Sequence, residues 1–143
     1  MKYLIPLFAV LLMVSCKTND ILQYQYKSAT MIGSKTMTIT KDSVIVVFNG
    51  RGKKTYDARL TTPEEWEELE LATSRVDLKD LNTLESPSNM RQTDASPYGT
   101  IFLTTKDSTY NTQSFDGYNS HESLLPLMGV IKKIANADRP ERP

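Results

Sequence analysis

From Thr36 to Leu60 the chain alternates between apolar and polar positions. Met37 and Ile39 stand between Thr36, Thr38 and Thr40, the period-two pattern of a strand with one buried face, written in residues that suit a pleated surface. Lys41-Asp42-Ser43 then turns into Val44-Ile45-Val46-Val47-Phe48, an apolar run that predicts a strand covered at least partly on both faces. Asn49-Gly50 follows, the pair best suited to a type I′ turn, whose central residues both need positive φ. On the return, Tyr56, Ala58 and Leu60 alternate with Thr55, Asp57 and Arg59. These three segments predict an antiparallel meander.

The period then lengthens to that of a helix. Thr62 can cap, Pro63 takes N1 without wasting an N–H, and Glu65 at N3 can close a capping box. Trp66, Leu69 and Thr73, with Ala72 beside them, form one apolar stripe; Val76, Leu78, Leu81 and Leu84 continue as a short irregular helical turn. No period holds over 85–99, a stretch long enough in a small domain to be either functional or mobile. Ile101 and Leu103 start another strand, Lys106-Asp107-Ser108 turns it, and a weaker strand with Tyr110, Thr112 and Ser114 ends at Phe115. A second helix reads over 124–137, with Ser123 as its cap and Asn119 with Glu122 as a rival capping box. Thr40-Lys41-Asp42-Ser43 recurs as Thr105-Lys106-Asp107-Ser108, and its Asp and Ser side chains suit local bonds to turn N–H groups, whether by duplication or convergence. The expected fold is α+β in two layers: an antiparallel sheet of about five strands (β-β-β-α-β-β-α) with two main helices on one face.

The start of the chain follows a different pattern. Lys2 precedes twelve residues, Tyr3 to Val14, without a charge. As a helix these span ~18 Å, short of the ~30 Å hydrocarbon core, so they read as the apolar region of a secretory signal. Leu12-Met13-Val14-Ser15-Cys16 resembles the lipobox of bacterial lipoproteins, and the whole resembles the small lipoproteins of Gram-negative bacteria, of the Bacteroidetes type above all. The resemblance implies cleavage before Cys16 and acylation of its thiol. Lys17 stands where an inner-membrane retention signal would have Asp, which implies an outer-membrane anchor. The expected organisation is a signal peptide over 1–15, a tether over 16–27, an α+β domain over 28–137 and a disordered polar tail over 138–143. Tyr24 and Tyr26 alternate within the tether and leave open an added edge strand.

Charge and composition narrow the functional classes. Among 143 residues, 17 basic and 17 acidic side chains balance, which argues against a nucleic-acid binder. One Cys and one His are too few for a zinc site, and no calcium loop, phosphate-cradling loop or dinucleotide fingerprint occurs; no cofactor is expected. The glutamates at 64, 65, 67, 68 and 70 spread over a solvated helix face rather than facing one another across a cleft. Residues 27–59 hold seven basic and two acidic side chains, whereas 62–94 hold nine acidic and three basic, an asymmetry that suits the steering of a charged partner. Met90, Arg91 and Tyr98 in the long loop, with Lys53 and Lys54 on a basic strand face, are the candidate interface, since Tyr, Arg and Met are enriched at contact surfaces. The leading expectation is a membrane-anchored lipoprotein with a non-catalytic domain for protein interaction or another envelope role. The rivals are a periplasmic small-ligand binder, using a groove between sheet and helices, and a hydrolase using Ser, Asp or Glu near His121.

Overall fold

The computed structural model describes residues 19–137. β1 (Ile21–Thr30), β2 (Gly33–Thr40), β3 (Ser43–Gly50) and β4 (Lys53–Leu60) form an antiparallel meander, followed by α1 (Pro63–Thr73). Two 3₁₀ turns, Leu78–Thr83 and Met90–Thr93, lead to β5 (Tyr98–Thr105), β6 (Thr109–Asn111) and the two-residue β7 (Phe115–Asp116). A 3₁₀ turn, Glu122–Leu124, then enters α2 (Leu125–Ala137). The sheet order is β4-β3-β2-β1-β5-β6, with β7 also beside β5. The α+β class, the antiparallel sheet and the two helices on one face are as expected, but the sheet has seven strands rather than about five.

The largest correction concerns residues 21–27, expected as tether. They belong to β1, an interior strand paired with β2 on one side and β5 on the other. Tyr24 and Tyr26 are buried on the helix side, while Gln23, Gln25 and Lys27 alternate onto the open face. A strand with one wet face is this polar by design, and its central place depends on β5, far along the chain. The signal peptide, Cys16 and the tail over 138–143 lie outside the described residues.

The β3–β4 turn is the second correction. Gly50 pairs with Lys53, so Arg51 and Gly52 are the central residues, with φ of 47° and 74°. Both have the positive φ of a type I′ turn, two positions after Asn49 would have begun it. Gly50 answers a different need, because a Cβ there would come 2.7 Å from the Ile32 carbonyl oxygen. The repeated Thr-Lys-Asp-Ser turns also close differently from expectation: the Thr makes the bonds. Thr40 Oγ1 accepts from the Ser43 N–H at 3.1 Å, and Thr105 Oγ1 accepts from the Ser108 N–H at 3.2 Å.

At the start of α1 the expected capping box is present. The Glu65 N–H donates to Thr62 Oγ1 at 3.2 Å, and the Thr62 N–H donates to Glu65 Oε2 at 3.0 Å. The Arg59 fork on β4 also grips Glu65, at 2.7 and 2.8 Å, and these bonds outweigh burial to hold its carboxyl below the ordinary value. Thr62→Ala is expected to cost about 1 kcal/mol in urea unfolding; a loss under about 0.3 kcal/mol would mean that the Arg59–Glu65 pair holds the helix start alone. The other helix starts differently from both predicted caps, Ser123 and the Asn119–Glu122 box. His121 is the cap: its Nδ1 accepts from the Ser123 N–H at 3.2 Å, opening the 3₁₀ turn before α2.

Apolar side chains of both layers fill the space between sheet and helices. Ile101 and Leu103 of β5, Leu69 of α1, and Leu127 and Ile131 of α2 are wholly buried. Tyr24 joins them edge-on to Trp66, with ring centroids 5.4 Å apart and its hydroxyl 3.1 Å from Thr73 Oγ1. Burial pushes its phenol up to about 12, against the opposing Thr73 bond.

Candidate interaction surface

Strand direction divides the molecule into two ends. Asn19, Ile21 and the turns at 41–42 and 106–108 lie at one end; the turns at 31–32 and 51–52 and the start of β5 lie at the other. β1 joins the ends, and its ten residues span ~33 Å. The N-terminal end is pinned, since Asn19 Nδ2 donates to the Thr73 and Val76 carbonyls at 3.0 and 2.8 Å, at and just past the end of α1.

The far end carries apolar side chains in water. Met31 and Ile32, the tip of the β1–β2 hairpin, are 84% and 56% exposed, and Tyr98 is 43% exposed. Between that tip and the segment 94–98 lies an open groove of about 330 Å³. Leaving such side chains in water forfeits their burial energy, and clustered rather than scattered exposure marks contact surfaces. Across the β1–β2 tip from the groove, Arg51, Lys53 and Lys54 are all exposed at the β3–β4 tip.

A buried ionic clamp holds the groove's second wall. Asp116 on β7 accepts from the backbone N–H groups of Met90 and Arg91, each at 2.8 Å, from the Ser88 hydroxyl, and from the Arg91 guanidinium at 3.1 Å. Arg91 also donates to the Ser88 carbonyl at 2.7 Å and to Ser114 Oγ at 3.1 Å. The Gly117 N–H donates to the Pro97 carbonyl at 2.8 Å, so the same corner fixes the wall directly. Burial by itself would raise the Asp116 carboxyl, but the bonds from Ser88, from the Arg91 and Met90 N–H groups and from the guanidinium outweigh it. Its pKa is therefore held well below the ordinary 3.8.

The sign of the pH dependence follows. With the folded value depressed, the stabilisation is complete above the unfolded value near 3.8 and is lost as pH falls below it toward the folded value. Urea unfolding is expected to show a fall in stability below pH ~4 that is shallower in Asp116→Asn. Equal slopes in the two proteins would remove Asp116 from the acid response.

The expected interface residues therefore divide. Met90, 54% exposed, Tyr98, Lys53 and Lys54 stand at the far end as available surface. Arg91 does not: it is 9% exposed, and its guanidinium is engaged in the clamp. The long loop is not free chain either, because Met90–Thr93 forms a 3₁₀ turn around Asp116. Nor do the basic strands share one face. Lys27 and Lys54 point to the open face, Lys35, Lys53 and Arg59 to the helix side, and Lys41 and Arg51 sit in turns. The alternation that makes a strand half-buried also divides its charges between faces.

Met31 and Ile32 were not among the residues expected to matter. Two large apolar residues between Thr30 and Gly33, in a stretch with no helical period, were the available signal.

The other expected chemistries have plain structural counterparts. His121 borders an open hollow of about 420 Å³ with Glu85 and Glu122. Its Nδ1 lies 2.9 Å from Ser123 Oγ, but that nitrogen also takes the Ser123 N–H, so the contact is part of the helix cap. On the acidic face of α1, Glu68 bonds Lys133 of α2 at 2.7 Å and Glu70 accepts from the Trp66 indole at 2.9 Å. Among the described residues no group of three or more His, Cys, Asp or Glu could hold a metal ion, and no helix is long and apolar enough to cross a membrane. No protein-family model matches the chain, and no curated protein matches it.

Proposed function

We propose that this chain is a lipid-anchored lipoprotein of the bacterial envelope, held to the outer membrane through acylated Cys16, whose domain binds another protein with the end farthest from its anchor. One observation carries the binding half of the reading: Met31, Ile32 and Tyr98 are exposed together around a groove at the end opposite Asn19. The described fold begins at Asn19, and the length of β1 sets the groove ~30 Å from that residue, which stands at the end nearer in sequence to Cys16. The lipobox-like Leu12–Cys16 supports the anchor, and Lys17 after Cys16 supports the outer membrane. Stable attachment then rests on more than one acyl chain, each buried methylene contributing about 0.8 kcal/mol.

Two measurements test the two halves. Mass spectrometry of the mature N-terminus is expected to find an acylated Cys16, with Cys16→Ser leaving the membrane fraction. A mature chain beginning elsewhere without acyl groups would remove the anchor. For the binding half, a photo-crosslinking residue is placed at Ile32 or, as control, at Leu71 on α1, itself 74% exposed. A discrete adduct at Ile32 and none at Leu71 is expected in native envelopes; equal labelling, or none at Ile32, rejects the groove as the binding end.

A further inference from the structure

The groove and the basic hairpin tip are neighbours, and their spacing has consequences for what they recognise. The β1–β2 and β3–β4 turns lie side by side at one end of the sheet, their centres two strands apart. The groove lies on the β5 side of the β1–β2 turn, so an anchor in it stands nearly three strand spacings, ~14 Å, from the β3–β4 turn, which an extended chain covers in about four residues. Along this end, apolar Met31, Ile32 and Tyr98 give way to Arg51, Lys53 and Lys54. The groove's own lining includes a carboxylate, Asp94, on the wall away from the hairpin.

We propose that the far end recognises a short extended segment of an acidic protein, with one apolar anchor in the groove and a carboxylate about four residues away on Arg51, Lys53 or Lys54. This rests on the reading of the far end as a protein-binding surface and adds the chemistry of the partner. The anchor has a concave seat, with Met31 and Ile32 on one side and Pro97 and Tyr98 on the other. The charge pattern gives the segment a direction, because its acidic flank is drawn to the hairpin and repelled from Asp94. A lipid surface fits less well: a bilayer-inserting tip presents a convex apolar end, whereas this one faces a walled groove with a carboxylate in its lining. A second copy of the chain would bring like charges of Arg51, Lys53 and Lys54 together if the two far ends met.

The test uses the full chain purified in detergent and fluorescent model peptides of about ten residues, each with one Leu and either a Glu pair or a neutral Gln pair placed one to six positions from it. Fluorescence anisotropy is expected to show tightest binding near a spacing of four, weakening as salt rises. Ile32→Asp is expected to weaken every peptide about tenfold or more, and Arg51→Glu with Lys54→Glu to weaken only the acidic peptides, by about tenfold. Circular dichroism and urea unfolding confirm that each variant is folded. Loss on Ile32→Asp without any effect of charge reversal overturns the acidic chemistry and leaves the groove as a docking end. No binding by any peptide, or binding indifferent to both changes, overturns the proposal, while the crosslink at Ile32 separately decides the parent reading. Binding of phosphatidylglycerol vesicles that needs Ile32 and Arg51, in place of peptide binding, assigns the end to lipid. A dimer in sedimentation, lost on Ile32→Asp, assigns it to a second copy.

Discussion

Arg91→Ala is expected to destabilise the domain by about 3 kcal/mol and, although Arg91 is buried, to weaken binding at the groove. The cost does not come from surface charge. Removing the guanidinium strips one partner from Asp116 and leaves the Ser88 carbonyl without a donor it now has at 2.7 Å. Asp116 keeps its Ser88 and backbone donors but loses its counter-charge, and breaking a buried ion pair costs far more than an exposed pair gains. The effect on binding follows from the same corner. Met90, Arg91 and Ser88 all close on Asp116, and the next residue of that strand-end, Gly117, holds Pro97 in the groove wall. Urea unfolding, together with hydrogen exchange over 86–98, measures both consequences. A full loss of binding with unchanged stability would instead restore Arg91 as a contact residue.

Gly99→Val is expected to be comparably severe, at about 3 kcal/mol, for a steric reason. A Cβ at Gly99 would overlap the Gly117 carbonyl oxygen and come 2.8 Å from Phe115 Cε2. Neither neighbour can yield easily. The Gly117 carbonyl accepts the Tyr26 hydroxyl at 2.6 Å, and Tyr26 is stacked on both Phe115 and Tyr118. Gly117 itself has φ of 55°, a conformation that a larger residue adopts only with strain. Thermal unfolding of Gly99→Val and of Gly129→Val, where a Cβ would meet nothing within 4 Å, separates backbone crowding from added bulk. Similar melting temperatures in the two variants would mean that β7 can shift away from β5 at little cost.

The same corner shows why the sequence was legible in some places and opaque in others. Helix α1 could be read almost residue by residue, because its signals lie within one turn: Thr62 and Glu65 three apart, Pro63 at N1, and Trp66 and Leu69 on one stripe. The β2–β3 hairpin was equally plain, since alternation and a short polar turn are contiguous in the chain. Arg91 looked like an interface residue because type and loop context were the available guides. Its partner, Asp116, is 25 residues away and becomes its partner only when β7 lies against β5. The tyrosines at 24 and 26 were visible as an alternation, but an isolated alternating strand looks the same whether it ends at an edge or enters the middle of a sheet.

By itself, the order of residues determined the α+β class, the antiparallel hairpins, the cap of α1 and the apolar stripes of both helices, because these depend on side chains a few positions apart. Tertiary structure decided the rest: that β1 is interior, that Arg51-Gly52 makes the turn while Gly50 makes room, that Arg91 is a clamp, and that Met31, Ile32 and Tyr98 meet at one end. Each of those outcomes depends on which distant segments become neighbours. That is settled by packing a whole sheet against two helices, a cooperative choice that no local window contains.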